Sequence, residues 1–163
     1  MPAQPYEEIP ASEQSETRLK RLPNILLIDD TVAILRSLNR LVKLKITKAI
    51  SNQTNIIPSE IISETNPLKG RDLILSQDKP MVIVSDLQMP EMTGIELARQ
   101  TREHRQKHNM PLIVNTGTCD PNHLESLDQL ISDGVVHSRY SKPSEQLCDD
   151  IKDLVLKIIN ITA

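Results

Sequence analysis

Three short aliphatic runs constrain this chain more than any other feature. Each follows a proline and ends at a residue carrying a side-chain oxygen: NILLI after Pro23, reaching Asp29; MVIVS after Pro80, reaching Asp86; and LIVN after Pro111, reaching Thr116. A strand with one wet face alternates apolar and polar residues, whereas a strand covered on both faces reads as a continuous apolar run. These runs therefore predict strands of a parallel sheet sandwiched between helices.

Helical patterns lie between them. Ile34, Leu35, Leu38, Leu41, Val42, Ile46 and Ala49 keep helical spacing, with Thr31 as the expected N-cap. Asn66-Pro67 and Asp120-Pro121 each read as an N-cap followed by proline in the first helical position, which predicts helices over 67–77 and 121–132. Gly94 opens a more polar helix to about 106. Leu147, Ile151, Leu154, Val155 and Ile158 mark a last amphipathic helix capped by Ser144. Weaker strands are expected near 59–63 and 135–140, and residues 51–58 are a loop or the frayed end of the long first helix. The order is β-α repeated five times. Right-handed crossovers between parallel strands then build a doubly wound α/β sandwich on a central five-stranded sheet.

Composition narrows the function. The core must be aliphatic, since the 163 residues include no Phe, no Trp and only two Tyr. Stacking platforms for single-stranded nucleic acid are missing, and 19 basic against 22 acidic residues leave no basic surplus for a nucleic-acid footprint. No apolar run is long enough to span a membrane. The opening MPAQPYEEIP has neither the charged nor the apolar region of a signal peptide, so a cytoplasmic location is expected. Cys119 and Cys148 show no pairing or metal spacing and read as two reduced thiols. Residues 1–22, with Pro2, Pro5, Pro10 and four glutamates, read as a flexible tail with a helical turn near Arg18 to Leu22; residues 23–163 form one domain.

In an open α/β sheet the ligand site lies off the carboxyl ends of the strands. This reading brings Asp29, Asp30, Asp86, Thr116 and Lys142 there. Three carboxylates in one cleft repel one another unless a hard cation sits among them. Oxygen ligands without Cys or His point to Mg²⁺. A hydroxyl and an ammonium at the same rim suit the oxygens of a phosphoryl group, with a carboxylate as the nucleophile.

Here the chain resembles the receiver domain of two-component response regulators, the CheY-like family. The resemblance runs from residue 24 to about 160 and is carried by LLIDD (26–30), SDLQMPEMTG (85–94), VNTG (114–117) and SKP (141–143). It implies a flavodoxin-like (βα)5 fold in which Asp86 is the phosphoacceptor. Mg²⁺ would be held by Asp30 directly, by Asp29 through a water, by Asp86 and by the backbone carbonyl of Gln88. Thr116 and Lys142 would bind the phosphoryl group, and the Lys142-Pro143 bond would be cis. The family carries an aromatic three residues before its lysine; that place is held by Arg139, with Tyr140 one residue too close. Strand alternation would turn Tyr140 to the lysine's side and Arg139 toward the 121–158 surface, where it would stay largely exposed. The chain between Asp30 and Asp86 is also longer than in plain family members, and the excess is placed in the first helix and in 51–58.

The resemblance implies a single-domain response regulator that switches a protein-protein surface without being an enzyme. Its partners would be a sensor histidine kinase or histidine phosphotransfer protein and a downstream protein target. The 121–158 surface would also serve for any homodimer. Three alternatives stand beside this reading. One is a degenerate receiver used only for binding, and another is a receiver fragment of a larger regulator or hybrid kinase. The third, a haloacid-dehalogenase-type phosphatase, needs Asp-x-Asp after the first strand, where this chain has Asp-Asp-Thr. His104 and His108 share an i, i+4 spacing that can bind metal. Their helix, with Arg99, Arg102, Glu103, Arg105 and Lys107, reads instead as a solvated face.

Overall fold

The structure is a computed structural model that describes residues 18–117, 120–142 and 144–160. Its main sheet has five parallel strands: β2 (Asn24–Ile28), β4 (Ile61–Glu64), β5 (Met81–Ser85), β6 (Leu112–Thr116) and β7 (Ser138–Ser141), in the order β4-β2-β5-β6-β7. The three proline-led runs are the central strands β2, β5 and β6, and nearly every residue in them is buried. Alternate side chains feed two separate cores. Leu26, Ile28, Ile83 and Val114 pack toward α2 (Pro67–Ser76), α3 (Gly94–Gln100) and α5 (Pro121–Ser132). Ile25, Leu27, Val82, Val84 and Ile113 pack against α1 (Val32–Ile50) and α6 (Glu145–Ile158). The fold is thus the doubly wound α/β sandwich of the sequence reading.

The helix starts follow the expected chemistry in most cases. Asn66 Oδ1 accepts the N–H groups of Leu68 and Lys69, Asp120 Oδ1 accepts that of Asn122, and Ser144 Oγ accepts that of Leu147. Thr93 and Glu96 form a reciprocal capping box at the start of α3. Thr31 is the exception. It occupies the N-cap position of α1 without a side-chain capping bond, and Asp29 Oδ1 accepts the Thr31 N–H instead, at 2.9 Å. The first carboxylate of the Asp pair is therefore fixed by the turn it stabilises.

Four expectations need correction. Residues 18–22 form no helical turn. Lys20–Arg21 is a short strand, β1, paired in parallel with β3 (Ile56–Ile57), and Leu22 is 1% exposed. Residues 51–58 are consequently neither loop nor frayed helix but a turn leading into β3, a two-stranded patch too short for periodicity to reveal. The helix expected over 94–106 is broken at Thr101 into α3 and α4 (Arg102–Lys107). The Thr101 hydroxyl donates to Leu97 O at 2.7 Å, a back-bond that often bends helices. Finally, β7 starts at Ser138 rather than 135. Val135 and Val136 are buried in the preceding loop, where both amides bond Leu130 O.

The reading of 99–107 as solvated fails at Arg105, which is 4% exposed. Its guanidinium donates to Thr101 Oγ1 and to the carbonyls of Ala98, Met110 and Val135, at 2.8–3.3 Å. Burial pulls its pKa down to about 10, which leaves it charged at neutral pH. This cation ties α3, the α4–β6 turn and the α5–β7 loop together with no carboxylate partner among the described residues. His104 and His108 are half-buried, with their rings 4.5 Å apart and bonded to the carbonyls of Gln77 and Asp78. They hold the α2–β5 loop.

Candidate functional site

The strand order reverses direction between β2 and β5, with β4 lying outside one and β6 outside the other. Loops leaving the carboxyl ends of β2 and β5 must diverge there, and the crevice they leave is where such sheets bind ligands. Asp29 and Asp30 follow β2, and Asp86 follows β5. One oxygen from each of the three lies within 4.8 Å of the others. Asp29 and Asp86 are buried at 4% and 8% exposure, while Asp30 faces solvent. Thr116 closes β6 and is buried.

Lys142 reaches the same point from beyond β7. Its backbone N–H bonds Thr116 O at 2.9 Å, which anchors the residue at the end of the sheet. Its Nζ sits 2.5 Å from Asp29 Oδ2 and 3.2 Å from Asp86 Oδ1. The Leu87 N–H also donates to Asp86 Oδ1, at 2.8 Å. Burial pushes the Asp86 carboxyl above its ordinary value, and neighbouring Asp29 adds to this. Lys142 and the Leu87 amide pull it back down. Desolvation prevails.

The loop after Asp86 is held by close backbone contact. Gly94 N bonds Leu87 O at 2.8 Å, and a Cβ at Gly94 would lie 2.4 Å from Asp86 O. Only glycine allows α3 to start so near the acidic residue. Met89 and Met92 are buried beneath the loop, Glu91 adopts a left-handed backbone with φ 67°, and Gln88 is exposed two residues past Asp86.

The donor set is what a hard divalent cation requires: carboxylate oxygens with no sulfur or imidazole among them. Mg²⁺ fits, because it keeps several of its own waters and needs only one or two carboxylates. Its charge would offset the repulsion among the carboxylates that Lys142 and the Leu87 and Thr31 amides now counter in part. A rigid carboxylate, a hydroxyl and an ammonium around one crevice can receive and hold a phosphoryl group.

Arg139 and Tyr140 lie on opposite faces of β7. The β6–β7 ladder is unbroken from Ile113↔Ser138 to Thr116↔Ser141, so no bulge resets the alternation. Arg139 points to the α5 face and grips Asp128 with two bonds of 2.7 and 3.2 Å. Its side chain is 31% exposed, which corrects the expectation of a largely exposed residue. The ion pair covers it. Tyr140 packs on the α1–α6 face and donates to Asp150 Oδ2 at 3.0 Å. The same carboxylate accepts Ser138 Oγ at 2.7 Å and faces His137. Periodicity could not foresee this cluster, because its partners belong to different elements. Cys148 is a buried free thiol, and burial pushes its pKa up. Cys119 and Pro143, with the expected cis bond, lie outside the described residues.

No protein-family model matches the chain. A curated CheY homolog from Campylobacter jejuni is 24% identical over 92 residues, covering 56% of this chain and 62% of that protein. The sensor histidine kinase CheAY of Helicobacter pylori is 29% identical over 109 residues, which is 64% of this chain but 12% of the kinase. The chain therefore spans less than two thirds of either relative. Among solved structures, a CheY-like response regulator receiver domain protein from Methanospirillum hungatei superimposes with a TM-score of 0.65 at 20% identity, covering 85% of this chain and 98% of that one. The signal receiver domain of an HD domain-containing protein from Pseudomonas fluorescens gives 0.63 at 22%, covering 86% and 92%. Among the described residues, no helix is long and apolar enough to cross a membrane.

Proposed function

We propose that the chain, similar to CheY homologs and folded like receiver domains, is a CheY-like response regulator receiver domain of two-component signalling in which Asp86 accepts a phosphoryl group from the phosphohistidine of a sensor kinase or histidine phosphotransfer protein. The observation that carries this is the buried Asp86 carboxylate, grouped with Asp29 and Asp30 within 4.8 Å and touched by Lys142 at 3.2 Å. Hydrogen bonds converge on Oδ1. Oδ2 is then the attacking oxygen: its bond to phosphorus forms as the phosphorus–nitrogen bond of the donor breaks, and the imidazole leaves with the electron pair. Desolvation sharpens the nucleophile, since a carboxylate held above its usual pKa is a poorly solvated one.

The side chains divide the remaining work. Asp29, Asp30, Asp86 and the Gln88 carbonyl would hold Mg²⁺, which when bound offsets the negative charge of the carboxylates and the incoming group. Lys142 shifts from its bonds to Asp29 and Asp86 toward the new phosphoryl oxygens, and the Thr116 hydroxyl donates to another. Thr116 ends β6 and Lys142 follows β7 directly, so their movement is transmitted through the β6–β7 pair to Arg139 and its hold on Asp128 of α5. The readout is a cytoplasmic protein contact on residues 121–158, with a second copy of the chain or another protein. The domain acts as a switch, and its only chemistry is its own phosphorylation and dephosphorylation.

The test is intact mass after incubation with Mg²⁺ and acetyl phosphate. Wild type gains about 80 Da, and Asp86→Asn, with the same shape and no nucleophilic carboxylate, does not. Equal modification of the two proteins would refute the assignment. No modification of either would leave a binding module only.

A further inference from the structure

We propose that residues 1–17 dock along the exposed face of α1, an intramolecular contact between an acidic segment and a basic, leucine-bearing helix. The nineteen residues of α1 carry Arg36, Arg40, Lys43, Lys45 and Lys48 and no acidic residue. Only Lys45 has an ion-pair partner among the described residues, Asp149 of α6 at 2.7 Å. Arg36, Arg40, Leu44 and Lys48 follow one another at i+4 and so stand in one row along the helix. All four are exposed, and Leu44 is 66% and Leu41 46% exposed. Four cations and two large apolar side chains on one helix face suit an acidic partner with apolar residues of its own.

Residues 1–17 have that chemistry. They contain Glu7, Glu8, Glu13 and Glu16 with no Lys or Arg, and Tyr6 and Ile9 flank the first acidic pair. Their four carboxylates equal in number the four α1 cations that have no ion-pair partner among the described residues. The junction is also in the right place. Lys20 N bonds Asn55 O at 2.9 Å, and Gln53 N bonds Ile50 O at 2.9 Å, so the segment joins the fold beside the carboxyl end of α1. Seventeen extended residues reach up to about 55 Å, whereas a helix of this length is about 28 Å long. The segment can run the whole helix with chain to spare. Tethering raises its local concentration well above that of a free acidic peptide. The inference is independent of phosphoryl transfer.

Carbodiimide coupling of the full-length protein tests this, because it joins carboxylates and amines that are already in contact. Residues 1–18 form a single tryptic peptide. The expected product, in the monomeric fraction at low salt, is that peptide linked to Lys43 or Lys48, with yield falling at least fivefold in about 0.5 M NaCl, where screening is short-ranged. Leu41→Ser with Leu44→Ser, and separately Arg36→Gln with Arg40→Gln, alter exposed positions and should each lower the yield several-fold while circular dichroism is unchanged. Links spread evenly over all surface lysines, or insensitive to both variants, would overturn the proposal. Links confined to a dimeric fraction would overturn it too, and would make a second copy the occupant.

Discussion

Replacing Arg105 with methionine isolates what a buried cation contributes to this fold. The side chain is 4% exposed, and its guanidinium serves Thr101 Oγ1 and three carbonyls. Met fills much of the volume, so cavity formation is minor. The cost lies with the acceptors. Met110 O and Val135 O have no other hydrogen bond among the described residues, and each buried orphan costs about 1–3 kcal/mol. Loss of a charge-assisted bond to the Thr101 hydroxyl adds to this, while relief of the guanidinium's desolvation subtracts. The net expectation is about 3 kcal/mol, which in a domain of this size lowers Tm by on the order of 10 °C. Urea unfolding followed by circular dichroism gives the number directly. Arg105→Lys should recover little, because one ammonium cannot span acceptors from three segments. Thr101→Val should cost about 1 kcal/mol and be non-additive with Arg105→Met. A variant within 0.5 kcal/mol of wild type, roughly the scatter of a neutral surface change, would refute the claim that Arg105 ties these loops together.

Further outcomes follow from the acidic crevice and the last strand. Asp30→Ala should weaken Mg²⁺ binding more than Asp29→Ala in a calorimetric titration, while raising metal-free Tm; a fall in Tm would favour a structural role for Asp30. Asp29→Ala, which strips Lys142 and the Thr31 N–H of their shared partner, should lower metal-free stability. Asp86 has a raised folded-state pKa. The native state therefore holds its proton to higher pH than the unfolded state, and stability falls as pH climbs from the ordinary carboxylate value through the raised one. Asp86→Asn removes that loss, so its Tm should exceed that of wild type above this window and converge with it at lower pH. Tyr140→Phe should cost about 1 kcal/mol through the lost bond to Asp150. Arg139→Ala should leave Tm nearly unchanged, its pair with Asp128 being a surface one, and chiefly weaken binding of a protein partner.

The elements that were legible in the chain share a physical reason. β2, β5 and β6 are covered on both faces, so their central residues are apolar on both sides, with polar residues only near the strand ends, and the pattern is visible one residue at a time. The same strands carry Asp29, Asp86 and Thr116 at their ends, so locating the strands located the crevice. Lys142 was legible only through the SKP motif, since nothing local distinguishes it from a surface lysine. What escaped was encoded by pairing between distant segments. β1 and β3 are two residues each, and neither has a period until the other is beside it. Arg105 lies among charged neighbours on a polar helix, and its burial depends on the carbonyl of Val135, thirty residues later. Arg139 and Tyr140 were divided between two faces correctly because alternation is local. That Asp128 and Asp150 would cover them is a property of how α5 and α6 dock.

The central claim is that Asp86 is the residue that carries the phosphoryl group. It is tested most directly by treating the wild-type protein with Mg²⁺ and acetyl phosphate, reducing the acyl phosphate with borohydride to the stable alcohol, and mapping the changed residue by peptide mass spectrometry. The account predicts homoserine at position 86, formed only when both reagents are present. Reduction at Asp29 or Asp30 instead, phosphate on a histidine, or an unchanged residue 86 in a protein that still binds Mg²⁺ would contradict it.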